Sequence, residues 1–356
     1  MGQLAATLDG VLTLEAMMYR HMAEAIEEEF GGDGKDAVRA GIFEYGRWRG
    51  ERMRQHHLAS GIELSARELF AHWSTGDLPL LVATDRAGVT ASDIEAELRI
   101  DESPEWSYFA LAGRQALGSL YYSAVYDGIA QGYHPRLAVE IPLDFQVGAG
   151  APVRWRVHGK TSSDSPAPVR LVLPHEAAAS KALVRRTVQN RGAVFVFLAR
   201  EVIRRYDVAG EHAVRAGIRR NGVERGTAQR ERHLAAGRPL TMRTLMDDFD
   251  VPTDDAWEWR DEGYLSDGVW FQDCTFCPHI PIWKELDALD LGYIYDVEIH
   301  QAQFRAYNPE IRVQWETLQT RGARECRFRF EIPSLRTPSD PHFVGPTDRG
   351  IVEATK

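Results

Sequence analysis

The residues best able to do chemistry lie in the last third of the chain. Cys274 and Cys277 form a CxxC pair in the segment FQDCTFCPH. A cysteine thiolate is a strong nucleophile once a neighbouring base has removed its proton. His279 and His300 are the candidate bases, and Asp273 is a candidate for orienting a histidine or activating water. One hypothesis is therefore a catalytic centre built from these five residues.

The same segment allows two other interpretations. Cys274, Cys277, His279 and Cys326 form a mixed thiolate and imidazole set of the kind that binds zinc. A zinc or manganese ion is thus a candidate cofactor, although a single CxxC is a weak zinc motif and nothing in the sequence requires a cofactor. Free cysteines are also among the most buried residue types, so these thiols could instead line an ordinary core.

A second set of candidates lies in a segment that occurs twice. Residues 37–61 and 213–237 are identical at 14 of 25 aligned positions, at a constant offset of 176. The similarity continues downstream at an offset of 174, where Tyr133-His134-Pro135 aligns with Tyr307-Asn308-Pro309. Self-similarity of this length is typical of a repeated structural unit. We therefore predict two tandem, pseudo-symmetric repeats.

Each copy of the repeated segment is predicted to be a helix with glycine, arginine and histidine on one stripe. Two glycines one turn apart would let another helix approach closely, which favours a helix–helix crossing at the interface between the repeats. The alternative is a pocket in which an arginine holds a substrate carboxylate through paired hydrogen bonds. The candidate substrate-binding residues are Arg49, Arg54, His57, Arg225, Arg230 and His233.

The two copies differ in their reactive residues. All three cysteines belong to the second repeat, and the first repeat has no thiol. A duplicated protein often keeps one working site while the other copy becomes a scaffold. We therefore expect the active site in repeat 2 and a scaffold in repeat 1.

Hydrophobic periodicity predicts an α+β fold in which each repeat has a helical pair, a small antiparallel sheet and further helices. In repeat 1 the predicted helices are 14–30, about 33–60, and 106–131 with a break near Gly118, and the predicted strands are 94–101, 136–146 and 152–158. In repeat 2 the predicted helices are 177–206, 211–236 and about 282–305, and the predicted strands are 268–273, 310–318 and 324–331.

Domain limits follow from these elements and from composition. The predicted units are 1–159 for repeat 1, 160–176 for a linker rich in serine and proline, 177–331 for repeat 2, and 332–356 for an extended tail.

Composition and net charge disfavour some classes of binding partner. The formal net charge of −10 argues against nucleic-acid binding, which needs a basic surface, and against docking on an anionic membrane. Three cysteines are too few for a disulfide framework, and the first residues lack the basic start of a signal peptide. We expect a cytoplasmic protein whose partner is a small-molecule substrate. A homodimer is compatible with the sequence but is not required by it.

Several short segments of repeat 2 resemble one family. They are the helix with Gly222 and Arg225-Gly226, the cysteine in DCTFC, and the stretch YDVEIHQAQFRAYNPEIRVQWETLQTRGARECRFRF. These features are similar to the L-2-amino-thiazoline-4-carboxylic acid hydrolase family over most of 190–331, and more faintly over 15–158. In that family a cysteine and an aspartate precede the Asn-Pro, whereas Val297 and His300 occupy those positions here.

The resemblance implies a hydrolase that opens a small heterocycle bearing a carboxylate, by breaking a C–N or C–S bond. The chain has no phosphate-binding glycine loop, dinucleotide fingerprint, GxSxG elbow or HExxH helix, so the corresponding enzyme classes are disfavoured. Two alternatives remain at this stage: a tandem small-molecule-binding protein without chemistry, and a metal-dependent ring-cleaving enzyme or lyase acting on C–C bonds.

Overall fold

A computed structural model describes residues 2–73, 76–142, 145–159, 164–252 and 256–341. Its internal contacts divide the chain into two compact units, Met1–Glu211 and His212–Lys356. Each unit combines helices with an antiparallel sheet, so the predicted α+β class is confirmed. In the described ranges, no helix has the length and apolar character needed to span a bilayer.

Unit 1 places long helices beside a five-stranded sheet. Its helices are α1 (Gly2–Ala59), α2 (Ala66–Ala71), α3 (Asp77–Ala83), α4 (Pro104–Leu111), α5 (Gln115–Tyr133) and the part of α6 (Ala177–Ala235) up to Glu211. Its strands are β1 (Ala87–Ala91), β2 (Glu95–Ile100), β3 (Leu137–Glu140), β4 (Val153–Val157) and β5 (Ala167–Val169). The strand order is β3-β4-β2-β1-β5, and each strand pair with a described register is antiparallel.

The two longest helices are each kinked near the middle. In α1 the kink is at Gly31, whose φ of 59° lies in the left-handed region that glycine adopts without steric penalty. The predicted helix end at Gly31 is therefore a kink, because the chain resumes a helix at once. In α6 the kink is at Asp207, with a φ of 51°, a conformation that aspartate tolerates better than most residues.

Glycines of the repeated segment bring helix backbones into contact within each unit. A Cβ at Gly46 of α1 would lie 2.3 Å from the carbonyl oxygen of Val125 in α5. In return, a Cβ at Gly128 of α5 would lie 2.2 Å from the carbonyl oxygen of Phe43. The predicted helix–helix crossing is present. Gly46 packs on α5 of the same predicted repeat, and Gly41 of the same segment packs on Leu198 of α6, which belongs to the predicted second repeat; both contacts are within unit 1.

Unit 2 is built in a similar way around a second sheet. Its helices are the remainder of α6, α7 (Met242–Asp247), α8 (His279–Glu285) and α9 (Leu289–Tyr307), with short 3₁₀ turns at Gln319–Arg321 and Pro333–Leu335. Its strands are β6 (Glu258–Trp259), β7 (Tyr264–Leu265), β8 (Val269–Phe276), β9 (Arg312–Thr317) and β10 (Cys326–Glu331). The strand order is β6-β8-β10-β9, and β7 pairs with β8.

Some predicted elements are confirmed and others are displaced. The predicted antiparallel pair at 136–146 and 152–158 is present as β3 and β4. The predicted helix break near Gly118 lies instead at 112–114, where Gly113 has a φ of 66°. Gly118 is inside α5, packed against the rings of Trp106 and Phe109. The predicted linker contains β5, which pairs with β1; residues 160–163 of the linker and 342–356 of the predicted tail lie outside the described residues.

The order of elements is comparable in the two units. The 19-residue helices α5 and α9 are offset by 174 positions, and the sheet orders contain β3-β4-β2 and β9-β10-β8 respectively. A duplication, and the predicted repeat limits, stay predictions.

Candidate functional site

In unit 2, one face of α9 brings polar side chains to the cysteines of the sheet. Asp296 and His300 are four residues apart, so they lie on the same face of the helix. The charge of Asp296 raises the pKa of all three thiols, which places the carboxylate near Cys274, Cys277 and Cys326. The ring of His300 contacts aromatic side chains of β9 and β10. This cluster is the candidate site.

Two of the three thiols belong to the apolar core. Cys274 on β8 and Cys326 on β10 are directly opposite each other in the antiparallel ladder, and their exposures are 1% and 4%. Burial raises the pKa of both thiols well above the ordinary value. The sulfur of Cys326 also accepts a hydrogen bond from the backbone N–H of Gln319 at 3.2 Å. These two thiols stay protonated and line the floor of the site.

Cys277 has different surroundings, just after the end of β8. It is only partly buried. The backbone N–H groups of His279 and Ile280 and the side chain of Trp257 favour the thiolate form and act to lower its pKa. Burial and the charge of Asp296 nevertheless raise its pKa to about 12. The thiol is therefore neutral at physiological pH, but the three donors would stabilise a thiolate formed during a reaction.

The carboxyl group of Asp296 has the properties of a general base. It is 9% exposed, and burial raises its pKa to about 7 from an ordinary value of 3.8. Its Oδ2 accepts a hydrogen bond from Thr320 Oγ1 at 3.0 Å, which favours the ionised form. A carboxyl group that titrates near neutrality can take up and return a proton in the same catalytic cycle.

The ring of His300 is held in one tautomer. Its Nδ1 lies 2.7 Å from the backbone carbonyl oxygen of Asp296, and because a carbonyl only accepts, Nδ1 carries the hydrogen. Burial, with a contribution from the charge of Arg225, lowers the pKa of His300 to about 4. The imidazole is therefore neutral, with its Nε2 lone pair available as an acceptor.

The predicted base His279 lies two residues after Cys277 and is buried. It is the first residue of α8 and is 4% exposed, with its imidazole among the rings of Trp257, Trp283 and Tyr295. Its backbone N–H favours the thiolate form of Cys277. The role of the His279 ring as a base stays a prediction.

Asp273 is occupied by ion pairs. Its carboxylate lies 3.0 Å from Arg329, 3.6 Å from Arg327 and 3.7 Å from Arg260. Successive residues of a strand point to opposite faces, so Asp273 and Cys274 do not share one. The structure does not bring Asp273 to the thiols, and we leave it out of the site.

Across the described ranges, no three His, Cys, Asp or Glu side chains converge in a way that could hold a metal ion. The geometry therefore gives no support to a metal site at Cys274, Cys277, His279 and Cys326, and that hypothesis stays a prediction.

Two arginines of unit 2 were predicted to bind a substrate carboxylate. Arg225 already forms a paired contact with Asp250, in which Nε and Nη2 each donate at 2.7 Å. Arg230 gives one Nη1 hydrogen bond to the carbonyl of Tyr307 at 3.1 Å. Of the two, Arg230 keeps more of its donor capacity, because the planar fork of Arg225 faces a protein carboxylate.

Comparison with known families gives one match. The family model described as L-2-amino-thiazoline-4-carboxylic acid hydrolase matches residues 186–330, which is less than half of the chain and includes most of unit 2. This segment is similar to that family. The segment includes Cys274, Cys277, Asp296, His300 and Cys326. No curated protein and no solved structure matches the chain.

The third candidate of unit 2, His233, is structural in its contacts. Its Nδ1 is 2.9 Å from the hydroxyl of Tyr307, and its Nε2 is 3.2 Å from Asp248. In unit 1, His57 contacts the hydroxyl of Tyr133 in the same way, at 2.9 Å. Both histidines are buried and join the end of a long helix to the end of a 19-residue helix in the same unit.

The remaining candidates lie on α1 in unit 1. Arg49 is buried at 4% exposure and pairs with Asp77 at 3.2 Å. Arg54 is exposed on the helix surface. The role of these candidates in substrate binding stays a prediction.

Sequence reasoning missed Asp296 and Thr320, which complete the candidate site. Asp296 lies in YDVEIHQ, four residues before His300 and between apolar positions of the helix. An acidic residue on the apolar face of a predicted helix is a usable signal, since a buried carboxyl needs a partner or a function. Thr320 carried no comparable signal, because a short 3₁₀ turn brings it to the helix.

Proposed function

We propose that unit 2 hydrolyses a small heterocycle bearing a carboxylate, with Cys277 as nucleophile and Asp296 as base. The observation that carries the proposal is the surroundings of Cys277: it is partly exposed whereas Cys274 and Cys326 are buried, nearby N–H groups favour its thiolate form, and a carboxyl group nearby titrates near pH 7. The family description supplies the substrate class, a 2-amino-thiazoline-4-carboxylic acid.

The first step is proton transfer followed by addition. Ionised Asp296 removes the proton of the Cys277 thiol, and the sulfur attacks the ring carbon that is bonded to both ring nitrogen and ring sulfur. The electron pair of the C=N bond moves to nitrogen. The backbone N–H groups of His279 and Ile280 favour the thiolate form of Cys277 and lower the cost of forming it, because they are fixed before the reaction begins.

The second step opens the ring and regenerates the enzyme. A C–S or C–N bond of the ring breaks, and the departing atom takes the proton from Asp296. Water, deprotonated by Asp296, then attacks the same carbon and displaces Cys277, which recovers its proton. One water molecule is consumed, and the product is the ring-opened acid. Neutral His300 offers an acceptor for an N–H of the substrate.

Arg225 and Arg230 are the two candidates for holding the substrate carboxylate. Arg225 acts on the pKa of His300, but two 2.7 Å hydrogen bonds engage it with Asp250. Arg230 gives one hydrogen bond to the carbonyl of Tyr307, which lies 11 residues, or about 16 Å, along α9 from Asp296. Alanine in place of the arginine that binds the substrate should raise KM more than it lowers kcat, and the other alanine variant should not.

The direct test is turnover of L-2-amino-thiazoline-4-carboxylic acid by the full chain, followed by chromatography and mass spectrometry of the ring-opened product. Cys277→Ala should reduce kcat at least a thousandfold. Cys274→Ala, a matched removal of a core thiol three residues away, should keep most of the activity of the folded protein. Full activity in Cys277→Ala would overturn the assignment of the nucleophile, and loss of activity only in Asp296→Asn would favour water activated directly by Asp296.

A further inference from the structure

Unit 1, predicted to be a scaffold, contains a buried polar cluster of its own. Glu15 and Arg49 of α1, Asp77 of α3 and Tyr121 of α5 lie close enough for their charges and hydrogen bonds to interact. Glu15 and Arg49 are each 4% exposed. Burying several ionisable groups is costly unless they pair with one another or with something bound.

Within the described residues, one N–H of Arg49 has no hydrogen-bond acceptor. Its Nη2 donates to both carboxylate oxygens of Asp77, at 3.2 and 3.3 Å, and its Nη1 approaches the hydroxyl of Tyr45 at 3.4 Å. Its Nε is buried and has no hydrogen-bond acceptor in the described part of the chain. A buried donor without a partner costs about 1–3 kcal/mol, so an acceptor at this position would be strongly favoured.

The equivalent arginine of the repeated segment shows what a purely structural pairing looks like. Arg225 uses Nε and Nη2 together on Asp250, at 2.7 Å each. Arg49 occupies the same place in its own copy but turns only Nη2 to Asp77. Arg49 therefore uses only part of its planar donor set on the carboxylate of Asp77.

Glu15 is a carboxyl group of the cluster that could pair with a cation. Its Oε1 accepts a hydrogen bond from the hydroxyl of Tyr121 at 2.5 Å. Burial raises its pKa to about 7, although the positive charges of Arg49 and Arg191 favour ionisation. A nearby cation supplied by a ligand would let this carboxyl ionise fully.

Aromatic side chains form the walls of the cluster. The guanidinium of Arg49 lies 5.3 Å from the ring centre of Tyr45 and 5.7 Å from that of Trp73. Tyr45 and Tyr121 are both buried. Asp77, whose side chain is 21% exposed, marks where the cluster reaches the surface. Flat apolar walls with a few fixed polar groups are typical of small-molecule sites.

We propose that unit 1 binds a small planar zwitterion, whose carboxylate accepts from Nε of Arg49 and whose amidine-like cation donates to Glu15. Unit 1 would then be a second ligand site in the same chain. The binding geometry comes from unit 1 alone, but the choice of ligand rests on the proposed function of unit 2. The substrate of that reaction carries both groups that the cluster can bind.

The test is calorimetric titration of the full chain with L-2-amino-thiazoline-4-carboxylic acid, in an Asp296→Asn background that prevents turnover. Two sites per chain are expected. Adding Glu15→Gln, which keeps an acceptor for Tyr121 but removes the charge, should weaken one of them at least tenfold. If that variant does not fold, Tyr121→Phe should produce a weakening of the same site.

Controls separate this inference from the proposed function. Glu105 is another buried carboxyl group of unit 1, and it accepts a hydrogen bond from Ser103. Glu105→Gln should leave the affinities of both ligand sites unchanged. The same ring without its carboxylate should bind the unit 1 site at least tenfold more weakly. If unit 2 neither binds nor turns over the compound, one site should remain and should still respond to Glu15→Gln. An unchanged affinity in Glu15→Gln, or a single site that responds only to Arg225→Ala or Arg230→Ala, would overturn the inference.

Discussion

Replacing Asp296 by asparagine should stabilise unit 2 at neutral pH and leave its stability unchanged in acid. The carboxyl is buried, and burial raises its pKa from 3.8 to about 7. In the unfolded chain the same group ionises near its ordinary value. The folded state therefore binds an extra proton between about pH 4 and pH 7, and the stability of the natural protein falls as the pH rises through that window.

The size of the effect follows from the same two values. Each pKa unit corresponds to about 1.4 kcal/mol, so a rise from 3.8 to about 7 amounts to roughly 4 kcal/mol of lost stability above pH 7. Asparagine has nearly the same shape and still offers an acceptor to Thr320. The variant should therefore match the natural protein near pH 4 and exceed its stability by a few kcal/mol near pH 8.

Native-state hydrogen exchange measures this difference in stability within unit 2. Amides of β8 and β10 should report openings that expose Asp296, and the intrinsic pH dependence of exchange cancels when the variant is compared with the natural protein at each pH. The ratio of exchange rates should grow from about one in acid to on the order of a thousandfold above pH 7.

A second variant, Asp248→Asn, should show the opposite dependence of stability on pH. Burial opposes ionisation of Asp248, but hydrogen bonds from His233 and Arg232 outweigh it and lower the pKa. Asp248→Asn should therefore be less stable than the natural protein at neutral pH, and the difference should close as the pH falls below the ordinary pKa of aspartate. A rate ratio for Asp296→Asn that is the same at pH 5 and pH 8 would refute the argument.

Three further predictions concern the packing of unit 1 and the activity of unit 2. Gly46→Ala should destabilise unit 1 by about 1–3 kcal/mol or more, because its Cβ would lie 2.3 Å from a backbone oxygen. Gly10→Ala in the same helix is the control: its Cβ would have nothing within 4 Å, so this variant should raise the thermal midpoint of unfolding. Tyr133→Phe should lower the midpoint, since it removes the 2.9 Å partner of buried His57 at a cost of about 1–3 kcal/mol; a midpoint equal to that of the natural protein would contradict this. For turnover, kcat/KM should rise with pH through about 7 as Asp296 ionises, and a flat profile between pH 5 and 8 would exclude it as the base.

The elements predicted from the sequence were those with a strong periodic pattern. The alternation in 152–158 gave β4, and the repeated segment gave the second halves of α1 and α6. Short elements such as α3 and β1 were not predicted, because they are stabilised by packing against α1 and the rest of the sheet and have little local pattern of their own.

The candidate site was only partly predictable for a related reason. The reactive types at Cys277 and His300 could be recognised from composition and spacing. Which thiol is reachable depends on the pairing of β8 with β10, because that register buries Cys274 and Cys326 and leaves Cys277 beyond the strand end. The proximity of Asp296 to Cys277 needs the packing of α9 on the sheet, which no local pattern specifies.

The most direct measurement is to quench a turnover mixture of the full chain and L-2-amino-thiazoline-4-carboxylic acid with acid and map the peptides by mass spectrometry. A mass increase confined to the peptide that contains Cys277, absent in Cys277→Ala and retained in Cys274→Ala, is the result expected for the proposed mechanism. Turnover in Cys277→Ala at the rate of the natural protein would contradict it.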